Sequence, residues 1–175
     1  MVLFIGDWFA DLYILEELLH TIEYKTAGDR LKKFKIKQKE GGSVFLGYTK
    51  KGWMSPNKQR EWCCIKKKYK TKLLSERPDL WESLEDFRDL YFPLFEFSGV
   101  QLNYNYKIGP HRDKGNNGES ILVACGDFIG GLTCVEIDGE VVKFDARLRP
   151  AVFDGSKYTH YVEEFSGTRF SVVFF

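Results

Sequence analysis

Three side chains in the second half of the sequence could bind one divalent metal ion. His111 and Asp113 form a His-x-Asp pair after a Gly-Pro turn, and alternation along an extended segment points residues i and i+2 the same way. His160 follows 49 residues later, at the start of a predicted strand. Two imidazoles and one carboxylate leave three positions of an octahedron open, as in non-haem Fe(II) oxygenases. The sequence therefore predicts an Fe(II) site whose ligands and catalytic residues are His111, Asp113 and His160.

Arg169 lies nine residues after His160 and is the predicted anchor of a co-substrate. The open metal positions would accept two oxygens of a keto acid and then dioxygen. A keto acid with a distal carboxylate needs a bidentate cation at the far end of its pocket. A strand that begins at Arg169 could point Arg169 and Ser171 inward together, so that the hydroxyl adds a second hydrogen bond. These residues predict 2-oxoglutarate as the co-substrate. A zinc hydrolase with the same three ligands is the alternative, but it would need neither Arg169 nor Ser171.

The length and composition indicate one folded domain, residues 1–175, with a sizeable core. Hydrophobic residues make up 43% of the chain, which argues against disorder. No apolar run reaches the roughly 18 residues that span a membrane, and the first residues lack the basic start of a signal peptide. We expect an intracellular protein without a membrane partner, nuclear in a eukaryote and cytoplasmic otherwise. The four cysteines lack zinc-site spacing and are expected to be buried or free thiols; they are Cys63, Cys64, Cys125 and Cys134.

The net charge of +1 conceals a strongly basic segment. Residues 30–72 contain fifteen Lys or Arg and two acids, a formal charge of +13, which leaves −12 for the rest of the chain. A basic block with interleaved aromatic residues, next to an acidic remainder, indicates a polyanionic partner. We expect residues 30–72 to contact nucleic acid. A solvated lysine-rich surface is the alternative.

The elements that must position the site change character along the chain. The first part, residues 1–99, contains two predicted helices and the basic segment. Asp7 can cap a helix from Trp8 to about Lys25 with a stripe of leucines, and Pro78 opens a second helix that Pro93 ends. That second helix has an apolar face made by Leu80, Leu84, Phe87, Leu90 and Tyr91. The segment Ser43–Thr49 is predicted to be a strand.

Residues 100–175 contain seven short β-rich segments separated by turn signals. Asp138–Gly139 between alternating apolar residues is a strong hairpin signal. Gly130–Gly131 and Ser166–Gly167 are also predicted turns. Many short strands at this spacing are typical of a sandwich or jelly roll. The predicted class is α+β, with a jelly-roll core buttressed by the N-terminal helices. The predicted strands are Val100–Tyr106, Ser120–Cys125, Leu132–Ile137, Glu140–Phe144, Ala151–Phe153, His160–Glu163 and Arg169–Phe175.

The motifs around these residues resemble a known superfamily. His111, Asp113, His160 and Arg169 on a β-rich half resemble the 2-oxoglutarate/Fe(II)-dependent dioxygenases, whose core is a double-stranded β-helix. A finer resemblance is to the TET/JBP family, which oxidises the 5-methyl group of pyrimidine bases in nucleic acid. The segments that carry it are Gln101–Asn103, His111–Ser120, Gly126–Leu132, Phe153–Gly155 and Gly167–Ser171.

The resemblance implies roles for individual residues. It places the iron ligands on His111, Asp113 and His160, and the 2-oxoglutarate arginine on Arg169. It also places the asparagine that hydrogen-bonds the flipped pyrimidine on Asn116, and an amide offers donors and acceptors to a base edge. A turn residue is the alternative for Asn116, since it lies in a turn-prone Gly-Asn-Asn-Gly run. The implied substrate is 5-methylcytosine or thymine, with DNA as the expected nucleic acid. The cysteine-rich zinc-binding region of the animal enzymes is not found in this sequence.

Other members of the superfamily remain alternatives. An AlkB-like nucleic-acid demethylase would carry a second arginine six residues after the first, where this chain has Phe175. A protein hydroxylase usually has a lysine in place of Arg169. A nucleic-acid-binding module without activity would not need the three metal ligands. Aromatic residues at the mouth of the pocket could stack on a base; the candidates are Tyr104, Tyr106, Trp53 and Tyr158.

Overall fold

The computed structural model describes residues 6–24, 41–50, 68–113 and 118–175. Three helices lie in the described part of the first half: α1 (Trp8–His20), α2 (Lys72–Glu76) and α3 (Pro78–Tyr91). No helix among the described residues is both long and apolar enough to cross a membrane. The described strands are β1 (Gly42–Lys50), β2 (Lys68–Lys70), β3 (Gly99–Tyr104), β4 (Ser120–Cys125), β5 (Phe128–Gly130), β6 (Thr133–Ile137), β7 (Glu140–Phe144), β8 (Ala151–Phe153), β9 (Thr159–Val162), β10 (Phe165–Gly167) and β11 (Phe170–Phe174).

Helix α1 begins where the sequence predicts and ends earlier. The Asp7 carboxylate accepts hydrogen bonds from the backbone N–H groups of Phe9 and Ala10, which satisfies donors that a helix leaves unpaired. The predicted end near Lys25 is wrong, because the helix stops at His20. Thr21 closes it: its hydroxyl donates to the Leu18 carbonyl at 2.7 Å and its N–H bonds to the same oxygen at 3.1 Å. This tighter turn ends the helical pattern.

Helix α3 begins at Pro78 and ends at Tyr91, two residues before Pro93, in agreement with the prediction. Leu80, Leu84, Phe87 and Tyr91 are buried, as its apolar pattern indicates. Leu90 was expected on the same face, but it is 39% exposed. Trp81 occupies the buried face instead, where its ring packs against the rings of Tyr48 and Phe97.

The helices pack on one face of a six-stranded antiparallel sheet. Its strand order is β2-β1-β3-β11-β4-β8. The central strand β11 shows how the two faces differ, because side chains alternate along a strand. Phe170, Val172 and Phe174 join the helices in one apolar cluster, whereas Val173 packs in a second cluster on the other face. Strand β1 pairs with β3 over six residues, so the sheet uses residues from both halves of the chain.

A smaller layer covers the second face of this sheet. It consists of the three-stranded sheet β7-β6-β9 and the pair β10-β5. Apolar side chains from β4, β6 and β8 meet between the layers. Two facing antiparallel sheets with helices outside one of them form the predicted α+β jelly-roll, or double-stranded β-helix, fold, which is confirmed.

Two turn predictions on this layer are wrong, and one is confirmed. Asp138 and Gly139 connect β6 to β7 with positive φ angles of 51° and 87°, the conformation that the hairpin signal predicts. The Gly130–Gly131 and Ser166–Gly167 segments contribute residues to β5 and β10, which pair with each other. Gly167 has a φ of 98°, and a Cβ there would lie 2.3 Å from the Asp127 carbonyl oxygen. The glycines therefore permit close pairing of two short strands.

Candidate metal centre

The structure brings His111, Asp113 and His160 together at one end of the jelly roll. Their possible ligand atoms all lie within 4.8 Å of one another. The Asp113 carboxylate reaches both rings, with 3.6 Å from Oδ1 to His111 Nε2 and 3.5 Å from Oδ2 to His160 Nε2. The histidine side chains are about a tenth exposed, whereas that of Asp113 is 29% exposed. One ion could therefore contact all three groups and remain accessible from the Asp113 side.

Backbone hydrogen bonds hold the three residues in this arrangement. His111 and His160 form a reciprocal pair, in which each N–H donates to the other carbonyl, at 3.1 Å and 2.9 Å. The Asp113 N–H donates to the Gly155 carbonyl at 2.8 Å. The loop between β3 and β4 is thereby connected to the turn before β9 and to β9 itself. Residues 49 positions apart are fixed as neighbours.

Each imidazole is oriented by a carbonyl two residues earlier in the chain. His111 Nδ1 lies 2.9 Å from the Gly109 oxygen, and His160 Nδ1 lies 3.1 Å from the Tyr158 oxygen. A carbonyl only accepts, so Nδ1 carries the proton in both rings and Nε2 presents a lone pair toward Asp113. Outer hydrogen bonds of this kind fix the tautomer and orientation of metal-binding histidines.

Gly155 leaves room beside the centre. A Cβ at this position would lie 3.1 Å from Asp113 Oδ2 and 3.3 Å from His160 Cε1. Any side chain here would crowd two of the three predicted ligands. The Phe153 ring packs against the His160 ring at a centroid distance of 4.9 Å. The turn before β9 thus shapes the space around the ligands on both sides.

The three predicted metal ligands line a cavity between the two layers of the fold. Its wall on the large sheet is polar, because Asn103 and Ser171 line it, and Ser43 on β1 lies next to Asn103 in the register. Ser43 Oγ donates to Asn103 Oδ1 at 2.7 Å, and Asn103 Nδ2 donates to Ser171 Oγ at 3.2 Å. Thr133 adds a buried hydroxyl on the opposite wall, and its Oγ1 has no hydrogen-bond partner. An oxygen-rich ligand would satisfy these groups.

Arg169 lies between β10 and β11, directly before the first residue of β11, and is almost completely buried, with 2% exposure. The predicted strand start at Arg169 is therefore one residue early. Its Nε and Nη2 atoms have no hydrogen-bond partner, and no described carboxylate forms an ion pair with it. Burial lowers the pKa of this guanidinium to about 10, because a low-dielectric surrounding disfavours the charged form. A buried cation without a partner is costly. An anionic ligand would satisfy it.

Ser171 lies two residues further along the chain and is 4% exposed. It lines the cavity together with the predicted metal ligands. Arg169 is packed against the same inner layer, through Phe128 and Phe165. The cavity lining thus includes the three metal ligands and the Ser171 hydroxyl, whereas the Arg169 guanidinium lies outside that lining. The donor set of two imidazoles and one carboxylate fits Fe(II), and a buried guanidinium is the kind of group that binds a carboxylate.

Only some of the other predicted site residues lie in the part of the chain that the structure describes. Asn116 lies outside the described residues, as do Trp53 and most of the basic segment 30–72. Tyr106 lines the cavity. Tyr104 was a candidate for base stacking, but its ring packs on Phe170 and Tyr24 at 5.2 Å and 5.6 Å, on the helix side of the sheet. Cys125 and Cys134 are buried free thiols, as predicted, and Cys63 and Cys64 lie outside the described residues.

Sequence reasoning missed Thr133, Asn103 and Gly155 as residues of the site. Thr133 comes directly after, and Asn103 lies within, a segment that carries the family resemblance, but the resemblance gave neither residue a role in the site. Both reach the cavity only through strand pairing between distant segments. Gly155 belongs to a turn signal, and only its distance to Asp113 reveals the second role.

Solved structures resemble this chain in fold. The structure of NgTET1 in complex with 5mC DNA matches with a TM-score of 0.51 and 15% identity, over 93% of this chain and 67% of that chain. A 2OG-Fe(II) oxygenase family oxidoreductase from Burkholderia pseudomallei matches with a TM-score of 0.47 and 16% identity, over 94% and 76%. A prolyl-4-hydroxylase from Pseudomonas putida matches with 0.48 and 16%, over 95% and 84%. No protein-family model and no curated protein sequence matches this chain.

Proposed function

We propose that this chain is a 2-oxoglutarate- and Fe(II)-dependent dioxygenase that oxidises the 5-methyl group of a pyrimidine base, 5-methylcytosine or thymine, in nucleic acid, with DNA as the expected substrate. The observation that carries the proposal is the joint placement of the His111–Asp113–His160 centre and the unpartnered buried Arg169. A hydrolytic zinc site would need the three ligands alone. The buried cation gives the same site a place for a second carboxylate.

Different residues of the site would bind the metal and the co-substrate. Bound Fe(II) with 2-oxoglutarate supplies the chemistry, using dioxygen to oxidise a C–H bond. His111, Asp113 and His160 hold the metal, and Arg169 with Ser171 orients the distal carboxylate of the co-substrate. The apolar residues of the second cluster pack beside this pocket. They would limit access of water and so strengthen an ion pair between Arg169 and the distal carboxylate.

Three observations support a base in nucleic acid as the substrate. The motif pattern from Gln101 to Ser171 resembles that of the TET/JBP family, and it places a base-binding amide on Asn116. The segment 30–72, with a formal charge of +13, would neutralise phosphates. The likeness in fold to NgTET1 is consistent with this substrate class.

A methyl group at the metal centre requires the base to leave the helix stack. Unstacking takes a few kcal/mol, and enzymes offset it by stacking and hydrogen-bonding the extruded base. Tyr106, Phe153 and Tyr161 line the cavity beside the predicted metal ligands. They offer aromatic surface of the kind an extruded pyrimidine needs.

A base-oxidation assay tests the proposal. The protein with Fe(II) and 2-oxoglutarate is incubated with three DNA duplexes that differ in their pyrimidines. The first contains 5-methylcytosine, the second contains thymine, and the third contains only unmodified cytosine and uracil as pyrimidines. We expect mass spectrometry to find hydroxymethyl or further oxidised bases in the first two duplexes and none in the third. The Asp113→Ala variant, which lacks the carboxylate ligand, is the inactive control.

Other products would identify a different member of the superfamily. Release of N-methyl groups from nucleic acid would indicate an AlkB-like demethylase, and hydroxylation of a polypeptide would indicate a protein hydroxylase. Either result, without oxidised 5-methyl groups, contradicts the pyrimidine substrate. Absence of 2-oxoglutarate-dependent succinate on every substrate contradicts the enzyme class.

A further inference from the structure

Arg169 packs against two aromatic rings, Phe128 and Phe165, which contact each other edge to face at a centroid distance of 6.2 Å and which other cations also contact. Its Cζ is 5.4 Å from the Phe128 centroid and 5.7 Å from the Phe165 centroid. Arg147 contacts the Phe128 ring at 4.3 Å, and Lys107 contacts the Phe165 ring at 4.9 Å. All four distances fall within the range of cation–π attraction. Three cations thus share two rings. Arg169, 2% exposed, is the inner cation, and Arg147 and Lys107, with side chains 33% and 37% exposed, are the outer cations.

Two acids near this cluster are held by the outer cations. The Asp145 carboxylate accepts two hydrogen bonds from the Arg147 guanidinium, at 3.2 Å and 3.1 Å. Glu164 forms an ion pair with Lys107 at 2.7 Å. Arg169, in contrast, forms no ion pair with a described carboxylate, and two of its nitrogens have no partner. Asp145 is near enough to favour the charge of Arg169, but its carboxylate hydrogen-bonds Arg147. Within the described structure, the direct contacts of the inner cation are therefore aromatic faces and not carboxylates.

The pairing of β5 with β10 creates this arrangement. Its register sets Gly167 opposite Phe128 and Phe165 opposite Gly130, so both rings project from the same two-stranded unit. A Cβ on the adjacent Gly131 would come within 3.1 Å of Arg169 Cδ. The backbone of Arg169 is fixed separately: its N–H donates to Asn105 Oδ1 at 2.7 Å, and its carbonyl accepts from the Asn105 N–H at 2.8 Å. Main chain and side chain are thus positioned by different contacts.

We infer that Phe128 and Phe165 are positioning residues that hold Arg169 without neutralising it, so that the site selects 2-oxo acids with a distal carboxylate. The inference rests on the proposed function for the identity of the co-substrate. An acid in the place of either ring would pair with Arg169 and compete with the incoming carboxylate. A ring face attracts the cation and accepts no strong hydrogen bond, so the N–H groups stay available. Selection would then act on the charge at the far end of the ligand.

Substitution of one ring tests this role. Phe165 is only partly buried, so Phe165→Leu keeps an apolar side chain and removes the ring face with limited risk to folding. Phe165→Tyr retains the face and is the conservative rescue. Phe144→Leu is the matched control, since Phe144 packs on the same cluster and has its own cation, Arg149, at 5.9 Å. Calorimetric titration of the Fe(II)-loaded, anaerobic proteins measures the Kd of 2-oxoglutarate and of 2-oxobutyrate, which lacks the distal carboxylate.

The inference expects a selective effect. Phe165→Leu should raise the Kd of 2-oxoglutarate by about tenfold and leave the Kd of 2-oxobutyrate within about twofold, with Fe(II) binding unchanged. Phe165→Tyr and Phe144→Leu should behave like the parent protein. An unchanged Kd for 2-oxoglutarate in Phe165→Leu, an equal loss for both acids, or the same loss in Phe144→Leu would overturn it.

Failure of the proposed function would look different. If the parent protein binds Fe(II) but neither keto acid, the result contradicts 2-oxoglutarate as the co-substrate. It then also contradicts the role of the rings in selecting that acid. If the parent protein binds 2-oxoglutarate tightly while the ring variants do so equally well, only the positioning role is lost. Circular dichroism of each variant establishes that the compared proteins are folded.

Discussion

The reciprocal hydrogen bonds between His111 and His160 fix two imidazoles independently of any ion. Each ring is also turned by a carbonyl two residues before it, at Gly109 or Tyr158. A site that is built in advance binds its metal without an additional ordering cost. The centre is therefore expected to select ions by its donor set and geometry, with imidazole and carboxylate suited to Fe(II).

Removal of one imidazole should abolish metal binding at the centre. We expect His111→Ala to lower Fe(II) affinity at least about tenfold and to eliminate 2-oxoglutarate turnover. His20→Ala is the matched control, because His20 lies on α1, away from the centre, with a side chain 51% exposed. Anaerobic Fe(II) titration followed by a succinate assay measures both. Equal metal binding by the two variants would contradict the assigned ligands.

A methyl group at Gly155 should disturb the same centre without removing a ligand. Its Cβ would lie 3.1 Å from Asp113 Oδ2 and 3.3 Å from His160 Cε1, so the carboxylate must move. We expect Gly155→Ala to weaken Fe(II) binding by about tenfold, the lower end of the range for the loss of an outer contact, since the ligand is shifted and not removed. Lys157→Ala, an exposed change in the same turn, should leave the affinity unchanged. An unaltered affinity in Gly155→Ala would show that the carboxylate has another position.

Residues of the site differ in how far the sequence could predict them. His111 and Asp113 are visible because their geometry is local: alternation in an extended segment brings both to one side. Thr133 and Asn103 reach the cavity through registers with β9 and β11 that no short segment encodes. The partners of Arg169 belong to this second kind, because Phe128 and Phe165 meet through the pairing of β5 with β10.

At the scale of elements, short local motifs predicted helix starts and a hairpin correctly, whereas turns predicted from glycine-containing pairs were wrong. The Asp7 cap, the Pro78 start and the Asp138–Gly139 hairpin each depend on a few adjacent residues, and the structure has all three. Gly130 and Gly167 resemble turn residues by type, yet they lie in paired strands with positive φ. A glycine that permits close backbone contact has the same sequence appearance as one that permits a turn. The end of α1 at His20 likewise depends on the Thr21 hydroxyl.

The hairpin between β6 and β7 should depend on the backbone of Gly139. Its φ is 87° and a Cβ would meet no atom within 4 Å, so substitution strains the backbone alone. We expect Gly139→Ala to lower the free energy of unfolding by about 1 kcal/mol, as measured by urea denaturation. Glu140→Ala, the exposed next residue, should change it by less than about 0.5 kcal/mol. A neutral Gly139→Ala would indicate that the turn relaxes.

At the scale of the whole molecule, charge is divided between a basic segment and an acidic remainder. Residues 30–72 have a formal charge of +13 and the rest of the chain has −12. The net charge is therefore small, but the two signs are separated along the sequence. Binding to nucleic acid through this segment should release counterions and weaken as salt rises. The acidic remainder should also orient the chain on a polyanion by repulsion.

Neutralising part of the segment should change the salt dependence. Replacement of Lys32, Lys33, Lys35 and Lys37 by Gln removes four positive charges from the segment. We expect weaker binding to duplex DNA and a salt slope in the log–log plot that is smaller by up to about 3.6, because each phosphate contact contributes about 0.9. Fluorescence anisotropy over a salt series measures it. An unchanged slope would place the nucleic-acid contact elsewhere on the chain.

Arg169 also connects the co-substrate to global stability. Burial lowers the pKa of this guanidinium from its usual value to about 10, so below pH 10 the charged form opposes folding, and a bound carboxylate would offset this. We expect 2-oxoglutarate at 100 times its Kd to stabilise the Fe(II)-loaded anaerobic protein by about 2.7 kcal/mol. The melting temperature should then rise by roughly 5 to 10 °C, by differential scanning fluorimetry. An Arg169→Met variant that melts at the same temperature with or without the acid is the matched control.

Under the proposed function, that coupling would make the keto acid a folding ligand as well as a reactant. A protein whose native state contains an unneutralised interior cation keeps a larger unfolded fraction whenever the metabolite is scarce, and proteases act on that fraction. The amount of intact protein would then follow the supply of its own co-substrate. Abundance and catalytic rate would decline together under such scarcity, and both responses trace back to the guanidinium of Arg169.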